Sequence, residues 1–275
     1  MIGVWHAAGM RCGIVLPFFD APDVASSAAL AEECGWDGVF LAEAVWGVDA
    51  WVALTAAAMR TSSLRLGTML TPLPRFKPWD VASRAATLDR LSGGRVQLSV
   101  GLGALHPGWT AFERETSRAE RALLLDEGLA VYDGLMRGQP FSFRGQRYDV
   151  RETDFFPPPP PVQRPRVPVW VVGAFGRPAS MRRAVAWDGL LPNVIDGGEA
   201  RGPADPAELA AVVAEARELR TSLGLPWDGF DVIAEGMASD VGAWADAGAT
   251  WWIESDWETT VDAVRDRIAA GPPSV

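Results

Sequence analysis

The chain has 275 residues, 48% of them hydrophobic and 22% charged, a composition suited to a globular protein with one large core or two small ones. Its formal charge of −10 and pI near 4.8 argue against nucleic acid or an anionic membrane surface as partner, so any phosphate it binds must be held by local arginines and backbone N–H groups. No apolar run approaches the roughly 20 residues of a membrane span, and no cysteine or histidine spacing suits a metal.

The first ten residues, MIGVWHAAGM, lack the charged start and apolar stretch of a signal peptide, and residues 1–9 read as an upstream extension. Cys12 and Cys34 lie in predicted apolar elements, where free thiols are expected, as in a reducing cytoplasm. Short β-type runs then alternate with helical patterns along the chain. Strands are predicted at Gly13–Phe18, Gly38–Leu41, Leu64–Leu70, Val96–Val100, Val169–Val172, Gly189–Leu191, Phe230–Ala234 and Trp251–Ile253. Helices are predicted at Val24–Cys34, Ala50–Arg60, Pro78–Leu91, Ala119–Met136, Pro178–Trp187, Pro206–Leu223, Asp240–Ala247 and Thr259–Ala269.

Several strands are near-continuous apolar runs, the mark of parallel strands covered on both faces. In the third helix Val81, Ala85, Leu88 and Leu91 recur at spacings of three and four and form one stripe. Eight strand–helix repeats predict an α/β fold, a (β/α)8 TIM barrel, as one domain over residues 1–275. An open doubly wound sheet is the alternative, but Pro17-Phe18-Phe19-Asp20 is not the glycine-rich turn it would want after its first strand. The alternation breaks at residues 138–167, where Phe141–Val150 reads as a hairpin around Arg144-Gly145-Gln146, followed by the stiff Pro157–Pro161. This segment is a small hairpin insertion between strands 4 and 5, and Gly197–Pro206 reads as a loop.

A barrel puts its chemistry at the C-terminal strand ends. Strand two ends at Ala42-Glu43-Ala44, strand three at Thr71-Pro72, strand four at Gly101-Leu102-Gly103 with Leu105 and His106 beyond, and strand five at Gly173-Ala174-Phe175-Gly176-Arg177. The strand-five end leads into a helix with Pro178 in its first turn, so it is either an anion cradle or a plain βα loop with Arg177 solvated. Arg118 and Arg121 open the long fourth helix and either reach the same mouth or belong to an exposed charged face. Glu43 is an acid in an apolar setting, either a proton-transfer group with a raised pKa or the partner of an arginine. His106 is the one histidine near a strand end, catalytic or simply solvated. Trp46 and Trp109 fall in mouth loops, where a flat ring can stack on a planar ligand, while most of the 13 tryptophans sit at core positions.

The segments LAEECGWDGVFLAEAVWG (30–47), LGTMLTPLPRFKPWDVASRAATLDRLSGGRVQLSVGLG (66–103), RAERALLLDEGLAVYDGLMRGQPFSFRGQRYDV (118–150), PPPPVQRPRVPVWVVG (158–173) and MRRAVAWDGLLPN (181–193) resemble the bacterial luciferase-like flavin monooxygenases. That family also includes F420-dependent oxidoreductases. The resemblance implies a (β/α)8 barrel with a flavin-type ring across its mouth. Thr71 falls where members have a strained, sometimes cis, peptide under the ring. Gly101 and Gly103 are implied at the ring edge, and Gly173, Ala174, Phe175 and Arg177, with Arg121 or Arg118, at the cofactor phosphate. Many members carry a histidine where this chain has Ala44, which implies that Glu43 or His106 substitutes, that the chemistry needs no acid, or that only binding is retained. The implied activity is a monooxygenase using reduced FMN, supplied by a separate reductase, and O2 on a small organic substrate. F420-dependent hydride transfer and a non-catalytic flavin-binding homologue are the alternatives, beside a barrel enzyme for a phosphorylated metabolite. A homodimer is implied by the family, and the apolar helix Ala50–Met59 is either its interface or a stripe buried in the core.

Overall fold

Strands and helices alternate as the hydrophobic pattern requires, and the strands close into a ring. The computed structural model describes residues 9–17, 19–105, 107–153, 157–196 and 199–275. In chain order the elements are β1 (Arg11–Val15), α1 (Ala21–Glu33), β2 (Gly38–Leu41), α2 (Ala50–Ala58), β3 (Arg65–Thr68), a 3-10 turn (Leu73–Arg75), α3 (Pro78–Ser92), β4 (Val96–Val100), α4 (Pro107–Thr110) and α5 (Arg118–Arg137). They continue with β5 (Phe141–Arg144), β6 (Asp149–Thr153), β7 (Val169–Phe175), α6 (Pro178–Val185), β8 (Gly189–Asp196), β9 (Glu199–Arg201), α7 (Pro206–Ser222), β10 (Asp231–Gly236), α8 (Gly242–Asp246), β11 (Trp251–Glu254) and α9 (Val261–Ala269).

The strands β10, β11, β1, β2, β3, β4, β7 and β8 lie side by side, all parallel, and β8 pairs back to β10 through Asp231 and Gly189. This closure excludes the open sheet. Burial explains the apolar runs: all five residues of β4 are buried, and its one amide, Gln97, donates to the Pro168 carbonyl at 3.1 Å. Side chains cap the helices the strands feed. Asp49 Oδ1 accepts from Val52 N at 3.0 Å at the start of α2, and Ser117 Oγ from Glu120 N at 3.1 Å at the start of α5. Among the described residues no helix is long and apolar enough to cross a membrane.

Several boundaries and faces differ from the sequence reading, three of them informatively. β1 begins at Arg11 and ends at Val15, and Phe18 lies outside the described residues. Leu91 is half exposed, so the α3 stripe does not run through it. The buried face turns instead through Asp89 and Ser92, because Asp89 accepts Val162 N at 2.6 Å, Gln163 N at 3.0 Å and Gln163 Nε2 at 2.8 Å and ties α3 to the segment before β7. The stretch read as a loop at 197–206 contains β9, which adds antiparallel to the long β8 at Ile195 and Ala200.

The barrel floor is an aromatic plug. Phe40, Trp170 and Trp251 are all but inaccessible and lie 5.3–5.9 Å apart, ring centre to ring centre. Strand glycines make room for them: a Cβ on Gly13 or Gly67 would come within 2.7 Å of the Phe40 ring. Asp231 fixes the plug by accepting Trp170 Nε1 at 3.1 Å and pairing with Arg11 at 2.8 Å, whose guanidinium lies 4.5 Å over Trp251. With the lower end filled, the open space of the barrel is at the C-terminal rim.

The hairpin β5–β6 stands between β4 and β7, where the alternation broke. Buried Glu127 on α5 holds its turn, accepting Gln146 N, Arg147 N and Tyr148 N at 2.7, 2.8 and 3.0 Å.

Candidate functional site

A cavity of about 770 Å³ opens at the C-terminal strand ends, within the range of small-molecule and cofactor sites. Its walls come from the ends of β2, β3, β4, β7 and β8, from the loops after β2 and β4 with Trp109 of α4, from the first turn of α5 and from α6 up to Arg183. Of the residues the sequence singles out, Glu43, Gly101, Gly103, Arg121 and Ala174 line it, as do Trp46, Trp109 and Arg118.

Four others do not line it. Extended backbone sends alternate side chains to opposite faces. Leu70 and Pro72 face the cavity, while Thr71 is fully buried behind the wall, its hydroxyl donating to Thr68 Oγ1 at 2.9 Å. The cis peptide of this segment is Met69–Leu70, ahead of Thr71. On β7, Val172 and Ala174 face the cavity; a Cβ on Gly173 would instead meet Ala184 at 3.0 Å and Met181 Sδ at 3.1 Å on α6. Gly173 thus serves the close approach of helix and strand. Phe175 packs against the main core, and Arg177 is exposed ahead of α6. His106 lies outside the described residues.

Arg183 and Phe112 also line the cavity and were missed from the sequence, while Ser180, at the end of the predicted Gly173–Ser180 loop, and Asn193, at the predicted end of strand six, line it as well. Arg183 sits three residues after Ser180 on α6, a spacing that places both on one helix face and was a readable signal. Ser180 Oγ accepts the Ala174 N–H at 3.0 Å, so that amide of the supposed anion cradle already has a partner.

Charge is concentrated at one end of the cavity. Arg118 and Arg121 arrive on α5 and Arg183 on α6. Arg183 pairs with Asp126 through two nitrogens. Arg121 donates from Nη1 to the Thr116 carbonyl at 2.7 Å, but its Nε is buried without a partner. Burial and the neighbouring Arg118 press its pKa down, an arrangement an anion would relieve.

Glu43 occupies another wall and is 9% exposed. Trp51 Nε1 donates to its Oε1 at 2.5 Å, and Oε2 is buried without a partner. Burial raises its pKa, against the nearby Thr71 hydroxyl, the Trp51 hydrogen bond and the charge of Arg84. The site therefore pairs a cationic end with a buried acid biased toward its neutral form.

These features fit a large planar molecule with an anionic tail. The volume is sufficient, Arg121 offers an unmatched donor, and the strand-end glycines bring backbone to the surface. A Cβ on Gly101 would intrude between Val172 and Leu70, at 3.1 and 3.3 Å. Gly103, at φ +78°, lets Trp109 close against the backbone.

Comparison with known proteins places this geometry. The chain is 33% identical over 164 residues to an F420-dependent glucose-6-phosphate dehydrogenase of Microbacterium testaceum, covering 56% of this chain and 47% of that protein. It spans from 30% to 61% of the length of such curated relatives. Its fold matches the F420-dependent tetrahydromethanopterin reductase of Methanopyrus kandleri with a TM-score of 0.72 at 18% identity, over 94% of this chain and 98% of that one. It also matches the oxygenating constituent of 3,6-diketocamphane monooxygenase of Pseudomonas putida, solved with FMN, with a TM-score of 0.66 at 19% identity, over 84% and 68%. At those identities the solved structures speak for the fold alone. Residues 1–263 match the model of the luciferase-like monooxygenases, and with the closed barrel and its rim cavity this assigns the chain to the luciferase-like monooxygenase family.

Proposed function

We propose that this chain is an oxidoreductase that binds a flavin-type tricyclic cofactor across the strand-end cavity, the deazaflavin F420 before FMN. The observation that carries the reading is the arginine end of an otherwise mostly apolar cavity, with the Arg121 Nε left unmatched, on a chain of net charge −10. F420 comes first because relatives 31–40% identical to this chain carry F420 in their names.

In this reading Arg121, Arg118 and Arg183 hold the anionic tail. The backbone at Gly101 and Gly103, with Leu70 and Val172, supports the ring, and the apolar walls keep water from it. When bound, the cofactor supplies hydride chemistry toward an organic substrate. Burial disfavours the charged form of Glu43 and raises its pKa, and its unpartnered Oε2 is the atom placed to give or take a proton. Ala44 adds no polar group beside it.

Titration of the purified protein with F420 and with FMN, followed by cofactor absorbance, tests the proposal. Saturable micromolar binding of F420 is expected. Binding of FMN alone would redirect the reading to a monooxygenase served by a separate reductase, and binding of neither contradicts it.

A further inference from the structure

The loops after β2 and β4 give the cavity a second lining, different in chemistry from the arginines. They contribute Ala44, Val45, Trp46, Leu102, Trp109 and Phe112, none of them charged. Trp46 is 85% exposed and Phe112 64%, whereas Trp36, Trp51, Trp170, Trp251 and Trp252 are all buried. Two large rings left in water on one cavity rim are apolar area that a ligand can cover. The wall beside them is fixed: Arg75 lies 4.4 Å over the Trp109 ring and is itself paired with Glu113 at 2.8 Å, and the Phe112 N–H donates to the Trp109 carbonyl at 3.0 Å.

We infer that the substrate is an uncharged molecule with an apolar ring, aromatic or alicyclic, seated against Trp46 and Phe112. The inference rests on the proposed function in one respect: the cofactor tail takes the arginine end, so the substrate meets the uncharged rim. Among the described lining residues the only ionisable group besides those arginines is Glu43, an acid, which favours neither a second phosphate nor a carboxylate. A sugar phosphate, the substrate in the names of the dehydrogenase relatives, is therefore a poor fit to this rim.

The test uses 2-naphthol as the uncharged planar probe and glucose 6-phosphate as its anionic counterpart, titrated calorimetrically into the protein with and without F420 or FMN. Trp46→Ala and Phe112→Ala are compared with the parent; both rings are exposed, so folding is retained. Saturable 2-naphthol binding is expected, weakened about five- to tenfold in each variant as a lost ring contact predicts, with cofactor affinity unchanged. Glucose 6-phosphate binding more tightly than 2-naphthol would overturn the inference. So would an absence of 2-naphthol binding, or variants whose affinity for it stays within about twofold of the parent. Cofactor loading is read separately by absorbance, so its failure counts against the proposed function, while 2-naphthol binding by the unloaded protein still reports on the rim.

Discussion

Burial holds Glu43 toward its neutral form, and stability must follow pH accordingly. A carboxyl whose pKa is raised in the folded state favours folding below the ordinary value of 4.5, and that contribution is lost as pH climbs through the raised value. Glu43→Gln keeps an acceptor for Trp51 but removes the ionisation. Its melting temperature relative to the parent should therefore rise between pH 4 and pH 8; a constant difference across that range would show that Glu43 is not shifted. Arg121→Gln should weaken F420 binding about tenfold or more, the value of one charge-assisted hydrogen bond, with little change in melting temperature. The position of Glu43 was legible because strand ends can be counted from the hydrophobic runs. The failure of Thr71, Gly173 and Phe175 to face the cavity was not, since it depends on which face of an extended segment points inward. Arg183 was legible in principle from its helical spacing, but its value depends on where α6 docks.

At the level of elements, the hairpin β5–β6 depends on one side chain. Glu127 accepts three backbone amides of the turn, and they hold its pKa below the ordinary carboxylate value. Stability from this contact is present above that ordinary value and lost as pH falls through the depressed one. Glu127→Ala strands three buried or half-buried amides and should cost about 2–3 kcal/mol in denaturant unfolding at pH 7, with the deficit shrinking in acid. The hairpin was readable from its period of two and its Arg144-Gly145-Gln146 turn, but its anchor was not: Glu127 lies in a charge-rich helix that reads as a solvated face. The same holds for Asp89, where amide partners more than 70 residues away turn a polar residue inward at the expense of Leu91.

For the whole molecule, eight apolar strand runs sufficed to predict the ring, because parallel strands buried on both faces leave few other closed arrangements. The aromatic plug was hidden, since Phe40, Trp170 and Trp251 are distant in sequence and meet only on closure. Helix α2 shows both a buried stripe and an exposed apolar face: Ala53, Leu54 and Ala57 are buried, while Val52 and Met59 are 67% and 68% exposed. We propose that a second copy of the chain covers this face. Sedimentation should then give a dimer, and Met59→Glu, on an already exposed position, should shift it to monomer; a parent chain that sediments as monomer contradicts the pairing. The barrel, the rim and the arginines converge on one assertion, that a planar redox cofactor lies across the strand ends with its anionic tail at α5 and α6. A crystal structure of the protein soaked with F420 measures this directly. The account predicts the ring against Gly101 and Gly103 and the phosphate at Arg121, whereas density for the cofactor elsewhere, or a phosphate turned away from the arginines, would contradict it.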